Sequence, residues 1–158
     1  MNQSVMEIYG NQLRLRACGL GVQAQKLIMI NHKSLYEHDF WSPPGGGVHF
    51  GEPAKDCLKR EFKEETGLEV EAGDFLFACE FINHPLHAVE LFFSVEIKSG
   101  LLESGDDPEM NMGQQIIHDV KFLSWNDIKL MPKHTLHGIF RYAPEPSKIM
   151  GLRGYFRL

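Results

Sequence analysis

No stretch of the sequence reaches the ~18 consecutive apolar residues that a membrane-spanning helix needs, and the N-terminal MNQSVMEIYGNQLRLR has neither a long apolar core nor a small-residue cleavage pattern. A membrane span and a secretory leader are therefore not expected, and the cytoplasm is. Cysteine is scarce: Cys18, Cys57 and Cys79 are odd in number and lack metal-type spacing. They read as small buried thiols, in keeping with a reducing compartment, and not as a disulfide framework. Positive charge is also short, with 16 Lys and Arg against 21 Asp and Glu and a net charge of −5. That leaves no basic field for duplex nucleic acid, although a small phosphate-bearing substrate can still be reached through a metal. The eight histidines fall in no H-E-x-x-H or C-x-x-C context, so they read as surface or core residues and not as zinc ligands.

What is present suits one globular domain spanning residues 1–158, since 43% of the chain is hydrophobic and no repeat or low-complexity segment interrupts it. Leu13 to Val22 and Lys26 to Ile30 read as the strands of a hairpin turning near Ala24. Arg14 and Arg16 alternate with Leu13 and Leu15, so both arginines lie on one side of the first strand, where they are solvated or meet substrate phosphates. After a polar loop from Asn31 to Phe40, strand signals recur at Glu69–Glu71 and Phe75–Ile82, split by an Ala72-Gly73-Asp74 turn. Residues 87 to 97 are apolar on both faces, which predicts a central strand, and Glu90 within it needs a partner: an arginine, a substrate group or a bound water. Residues 99–115 read as an acidic loop and 116–125 as another strand. Asn126 is placed to cap a short helix, and a last helix is expected from Thr135 to Tyr142.

The stretch GGVHFGEPAKDCLKREFKEETGL, Gly46 to Leu68, organises the rest. Pro53 suits a helix start, Gly67 suits the position just past an end, and good helix formers fill the interval. At about 100° per residue, Ala54, Cys57, Leu58 and Phe62 share an apolar face. Glu61 and Glu65 fall on that same face with Glu64 at its margin, and such crowded like charges disfavour a helix unless something compensates. Arg60 can pair with one of them, but hard carboxylate oxygens at the edge of a buried face suit a divalent cation such as Mg²⁺ or Mn²⁺. The glycine run before the helix permits close backbone approach, and a main-chain carbonyl there can complete a metal shell.

With Gly46, Glu52, Arg60, Glu61, Phe62, Glu64, Glu65, Gly67 and Leu68, the stretch fits G-x5-E-x7-R-E-U-x-E-E-x-G-U at every fixed position, and the chain resembles the Nudix hydrolases. The resemblance implies an α/β fold, an α/β/α sandwich with a mixed sheet. It also implies Mg²⁺-dependent hydrolysis of a nucleoside diphosphate linked to another moiety, with Mn²⁺ able to substitute. By the same resemblance Glu61, Glu64, Glu65 and the Gly46 carbonyl hold metal, Glu52 orients Arg60, and Glu61 is an alternative base. A further acid outside the box is expected as ligand or base, with Asp119 and Glu109 the first candidates, while Arg14, Arg16 and Glu90 are candidates for substrate contact. The expected substrate is a nucleoside triphosphate or other small nucleotide, with ADP-ribose or a nucleotide sugar as the alternative. A nucleotide-sensing domain that binds without cleaving is the reading from a different class. A homodimer is compatible with this size; neither duplex nucleic acid nor a membrane is expected as a partner.

Overall fold

In the computed structural model, residues 3–32, 38–103 and 119–158 are described. A short helix α1, Gln3–Tyr9, leads into β1, Gln12–Gln23, and the chain reverses at Ala24 and Gln25, whose φ angles of 49° and 61° give the two-residue turn that a twisted hairpin favours. β2, Lys26–Asn31, returns antiparallel, then diverges after pairing Val22 with Leu27 and Gln23 with Lys26. The expected hairpin is thus present. Two short strands follow, β3, Trp41–Ser42, and β4, Gly45–Gly47. β4 pairs with β1 through Arg16, Ala17 and Cys18, while β1's other edge runs parallel to β6, Leu86–Ser99.

The long central strand is as expected, for β6 lies between β1 and β5, Glu69–Asn83. The expected turn at Ala72-Gly73-Asp74 is instead a bulge inside one continuous strand. Ser94 Oγ accepts the Asp74 N–H at 2.8 Å and so occupies the donor that the irregular ladder leaves over. β7, Asp119–Ser124, pairs with β2, and β8, Gly154–Arg157, extends the sheet beyond β5 in parallel. The order is β3-β2-β1-β6-β5-β8, with β4 on β1 and β7 on β2, a mixed α/β sheet.

One face of the sheet is covered by α2, Ala54–Thr66, whose Cys57, Leu58 and Phe62 are fully buried with Ile28, Ile30, Phe93 and Val95. Gly19 admits this packing, because a Cβ there would overlap Phe62 and Val95. Phe62→Ala costs about 3–5 kcal/mol on ordinary core behaviour. The opposite face carries a second core of Leu20, Leu27, Phe77 and Phe92 under Ile128, Ile139 and Ile149 from the C-terminal third. α3, Trp125–Leu130, is capped by Ser124 and not by Asn126. The Ser124 hydroxyl accepts the Asp127 N–H at 3.1 Å and the Asp127 carboxylate takes the Ser124 N–H at 3.0 Å, a reciprocal box that outcompetes the asparagine.

The expected helix over Thr135–Tyr142 is not formed; 3-10 turns run over Lys133–Thr135, Gly138–Tyr142 and Pro146–Gly151. His137 breaks the pattern with φ −51° and ψ 136°, and its ring accepts the Ile139 N–H. No helix of the described residues is long and apolar enough to cross a membrane. All three cysteines are buried and free, as expected.

Candidate active site

α2 starts where expected, with Pro53 as its cap residue, and ends at Gly67, which takes φ 75° and donates its N–H to the Lys63 carbonyl at 3.0 Å. Because the helix buries its Cys57, Leu58 and Phe62 side, Glu61 and Glu65 are carried inward to 8% and 6% exposure. Glu64 stays partly exposed at the margin, with 29% of its side chain accessible.

Arg60 organises the outer side of this group. Its Nε and Nη2 bind the two oxygens of Glu52 at 2.8 and 3.0 Å, and its Nη1 reaches Glu61 at 2.7 Å and Glu64 at 3.1 Å. Nη2 also donates to the Gly47 carbonyl at 3.1 Å. The Arg60 hydrogen bonds hold the Glu52 carboxyl down at about 2, and Glu52 in turn holds the guanidinium up. Glu61 is pushed the other way: burial raises its carboxyl, with Arg60 opposing.

The glycine run lies against the carboxylates. A Cβ on Gly46 would overlap the Glu61 carboxyl group, so only glycine lets β4 and α2 approach this closely. The Gly45 N–H donates to Glu65 Oε2 at 3.0 Å. The Cys57 thiol, pushed up to about 12 by burial, faces the carbonyls of Gly46 and Gly47 at 3.7 and 3.4 Å. Sequence signals alone did not read Gly45–Gly47 as a strand, since glycine has no strand propensity and the pairing with β1 is tertiary.

Behind the glycines, Arg16 donates from Nη2 to the Gly45 carbonyl at 2.9 Å and from Nη1 to Glu90 at 3.1 Å. Glu90 is 4% exposed, so its needed partner is an arginine of the neighbouring strand. Its second oxygen is 2.7 Å from Nε2 of His137, itself buried. Burial by itself raises the Glu90 carboxyl, but His137 and Arg16 outweigh it and hold it at about 2. His137 did not stand out in the sequence as a partner for Glu90; the one available signal was a carboxylate in an apolar strand that required a second donor. Arg14 stacks its guanidinium over the Tyr9 ring at 3.7 Å, on the same side of β1 as Arg16.

Of the two acids expected outside the box, Asp119 opens β7 and pairs with Lys121 at 2.8 Å, opposite Asn31 of β2. Glu109 lies outside the described residues. The donor set of Glu61, Glu64 and Glu65 has the hard oxygen chemistry of a Mg²⁺ or Mn²⁺ site. The Cα of Gly46 lies directly against the Glu61 carboxyl group. Among the described residues no three His, Cys, Asp or Glu side chains surround one metal-sized position, and Arg60 bridges Glu61 and Glu64 as their counter-charge. The residues fit such an ion in kind, with Arg60 in competition for two of them.

The sequence profile of the NUDIX domain matches residues 13–141. An ADP-ribose pyrophosphatase of Methanocaldococcus jannaschii is 29% identical over 91 residues, 56% of this chain and 54% of that protein, so the match spans about half the length of that relative. An uncharacterised Nudix hydrolase of Bacillus subtilis is 29% identical over 126 residues, 67% of this chain and 74% of the other. The crystal structure of a MutT NUDIX hydrolase from Burkholderia pseudomallei superposes with a TM-score of 0.66 at 23% identity, covering 83% of this chain and 95% of that one, a likeness of fold.

Proposed function

The chain belongs to the Nudix family, and from that membership we propose that it hydrolyses a phosphoric anhydride bond in a small nucleotide, a nucleoside diphosphate linked to a further phosphate or other group. The observation that carries this reading is the assembled box. Glu61, Glu64 and Glu65 are gathered on one end of α2 against Gly45 and Gly46, with Glu52 and Arg60 fixed beside them. Glu61, Glu64, Glu65 and the Gly46 carbonyl would hold Mg²⁺ or Mn²⁺, which neutralises pyrophosphate charge and polarises phosphorus when bound. Water attacks phosphorus, the anhydride P–O bond breaks, and the attacking water's proton passes to a carboxylate. Glu61 is the acceptor inside the box, and Asp119 and Glu109 are the candidates outside it.

Arg14 and Arg16 are the candidates for contact with the outer phosphates of a nucleoside triphosphate, a reading supported by their alternation on one side of β1 and by the reach of Arg16 to Gly45. ADP-ribose is the second reading, favoured by the archaeal relative that bears that activity in its name. The chain works as one domain, on a small-molecule substrate and in the cytoplasm. The test is a screen of nucleoside triphosphates, ADP-ribose, nucleotide sugars and dinucleoside polyphosphates with Mg²⁺ and with Mn²⁺, with products identified. Release of pyrophosphate or of a nucleoside monophosphate supports the proposal. Tight nucleotide binding without hydrolysis of any of them would replace it by a sensing role.

A further inference from the structure

We propose that His137 is a positioning residue of this site, acting on the Glu65 carboxylate through Glu90, Arg16 and Gly45. The inference rests on the reading of Glu65 as a working carboxylate given above, and it adds a residue from outside the box and from the far end of the chain. Four hydrogen bonds join five separate segments in series. His137 Nε2 donates to Glu90 Oε2 at 2.7 Å, and Arg16 Nη1 donates to Glu90 Oε1 at 3.1 Å. Arg16 Nη2 donates to the Gly45 carbonyl at 2.9 Å, and the Gly45 N–H donates to Glu65 Oε2 at 3.0 Å. The Ile139 N–H on Nδ1 leaves the ring proton on Nε2, facing Glu90.

Each link constrains the next because each has few alternatives. Glu90 is buried in the central strand and must have both oxygens satisfied. Arg16 spends one terminal nitrogen on Glu90 and the other on Gly45, while its Nε is buried without an acceptor among the described residues. The guanidinium is therefore one bond short, and a bidentate grip on Glu90 is the competing arrangement. His137 opposes it by holding Oε2 toward its own ring, which leaves Oε1 as the oxygen turned to Arg16. Without His137, Arg16 turns two nitrogens onto Glu90 and gives up the Gly45 carbonyl. Gly45 then loses the hold on one side of its Cα while Glu65 hangs from the other. No side chain can steady that residue instead, since a Cβ on Gly45 would overlap the backbone of Ala17 and Cys18. Glu90 acts in this chain as a positioning carboxylate and not as a substrate contact.

The experiment measures hydrogen exchange of the Gly45 amide by NMR together with kcat and KM, in wild type, His137→Phe, His137→Gln, Glu90→Gln and the double variant His137→Phe/Glu90→Gln. In His137→Phe, Gly45 exchange should quicken and kcat should fall, each by about tenfold or more, with KM little changed. His137→Gln, which keeps a donor toward Glu90, should recover most of both. In the double variant the loss should not exceed that of the worse single one, because both act through one chain. Gly45 exchange and kcat in folded His137→Phe within about twofold of wild type, or fully additive losses, would overturn the proposal. Should His137→Phe fail to fold, Arg16→Met decides: methionine has no N–H to donate to the Gly45 carbonyl, so unchanged Gly45 protection there also overturns it. Gly45 exchange is read without substrate, so an absence of hydrolysis in wild type would defeat the proposed function while leaving this result standing.

Discussion

Arg60 grips Glu52 with two parallel hydrogen bonds, Nε to Oε1 at 2.8 Å and Nη2 to Oε2 at 3.0 Å, eight residues apart across the start of α2. The grip aims the remaining nitrogen, Nη1, at Glu61 and Glu64. Glu52→Gln keeps one acceptor and loses the paired charge, so Arg60 shifts further onto the two acids and competes harder with a cation there. Hydrolysis should fall about 10–100-fold and stability by about 1–2 kcal/mol, measured by steady-state turnover and urea denaturation. Unaltered turnover would remove Glu52 from the working site.

Gly46→Ala tests the closeness of β4 to α2. The new methyl would occupy the volume of the Glu61 carboxyl group, so either β4 lifts from β1 or Glu61 leaves its seat. The expected outcome is loss of about 1–3 kcal/mol of stability and a fall in turnover of at least about tenfold, checked by thermal melting and kinetics. A variant as active and as stable as wild type would show that the glycine is not needed for this contact.

How much of this was legible in advance depends on whether the cause was local. α2 could be read from Pro53, Gly67 and the apolar spacing of Cys57, Leu58 and Phe62, all within about four helical turns. β6 could be read because both of its faces are apolar, the mark of a strand with neighbours on each side. β4 could not, because three glycines carry no strand signal and pair only because β1 and Glu65 meet them. The C-terminal segment failed for the opposite reason: Thr135–Tyr142 has a helical look, but His137 is pulled out of helical backbone toward Glu90, 47 residues away in sequence. The bulge in β5 was read as a turn because Gly73 and Asp74 mark both. At the site, helical spacing gathered Glu61, Glu64 and Glu65 and the family resemblance supplied the Glu52–Arg60 pair, whereas the second layer of Arg16, Glu90 and His137 is assembled by pairing between strands and leaves only the isolated Glu90 as a trace.

Glu65→Gln separates chemistry from structure. The amide oxygen still accepts the Gly45 N–H, so the fold and melting temperature should be kept, while the negative charge offered to a cation is gone. Mg²⁺-dependent hydrolysis should fall by at least about a hundredfold and Mn²⁺ affinity, followed by electron paramagnetic resonance, should weaken in parallel. Near-wild-type turnover would overturn the assignment of Glu65 to the site.

The buried acids make a prediction in pH whose sign differs between two residues. Glu90 faces Arg16 and Arg14 from β1 and His137 from the C-terminal segment, with Cys18 and Cys79 beside it, and its carboxyl is held at about 2 against an ordinary 4.5. A depressed carboxyl stabilises the fold above its ordinary value and loses that contribution as pH falls through the folded one. Wild type should exceed Glu90→Gln by about 3 kcal/mol near pH 7, and the gap should close as pH drops from 4.5 toward 2. Glu61 runs the other way, since burial raises its carboxyl and the charged form is disfavoured in the fold. In the metal-free protein Glu61→Gln should therefore gain stability near neutral pH, and the gain should shrink as the pH falls through the raised folded value and be gone below the ordinary 4.5. Urea denaturation of both variants across this window checks the pair. A gap for Glu90 that stays constant with pH would mean that its contacts with Arg16 and His137 do not depend on its charge, and a loss of stability in Glu61→Gln at neutral pH would mean that Arg60 outweighs burial.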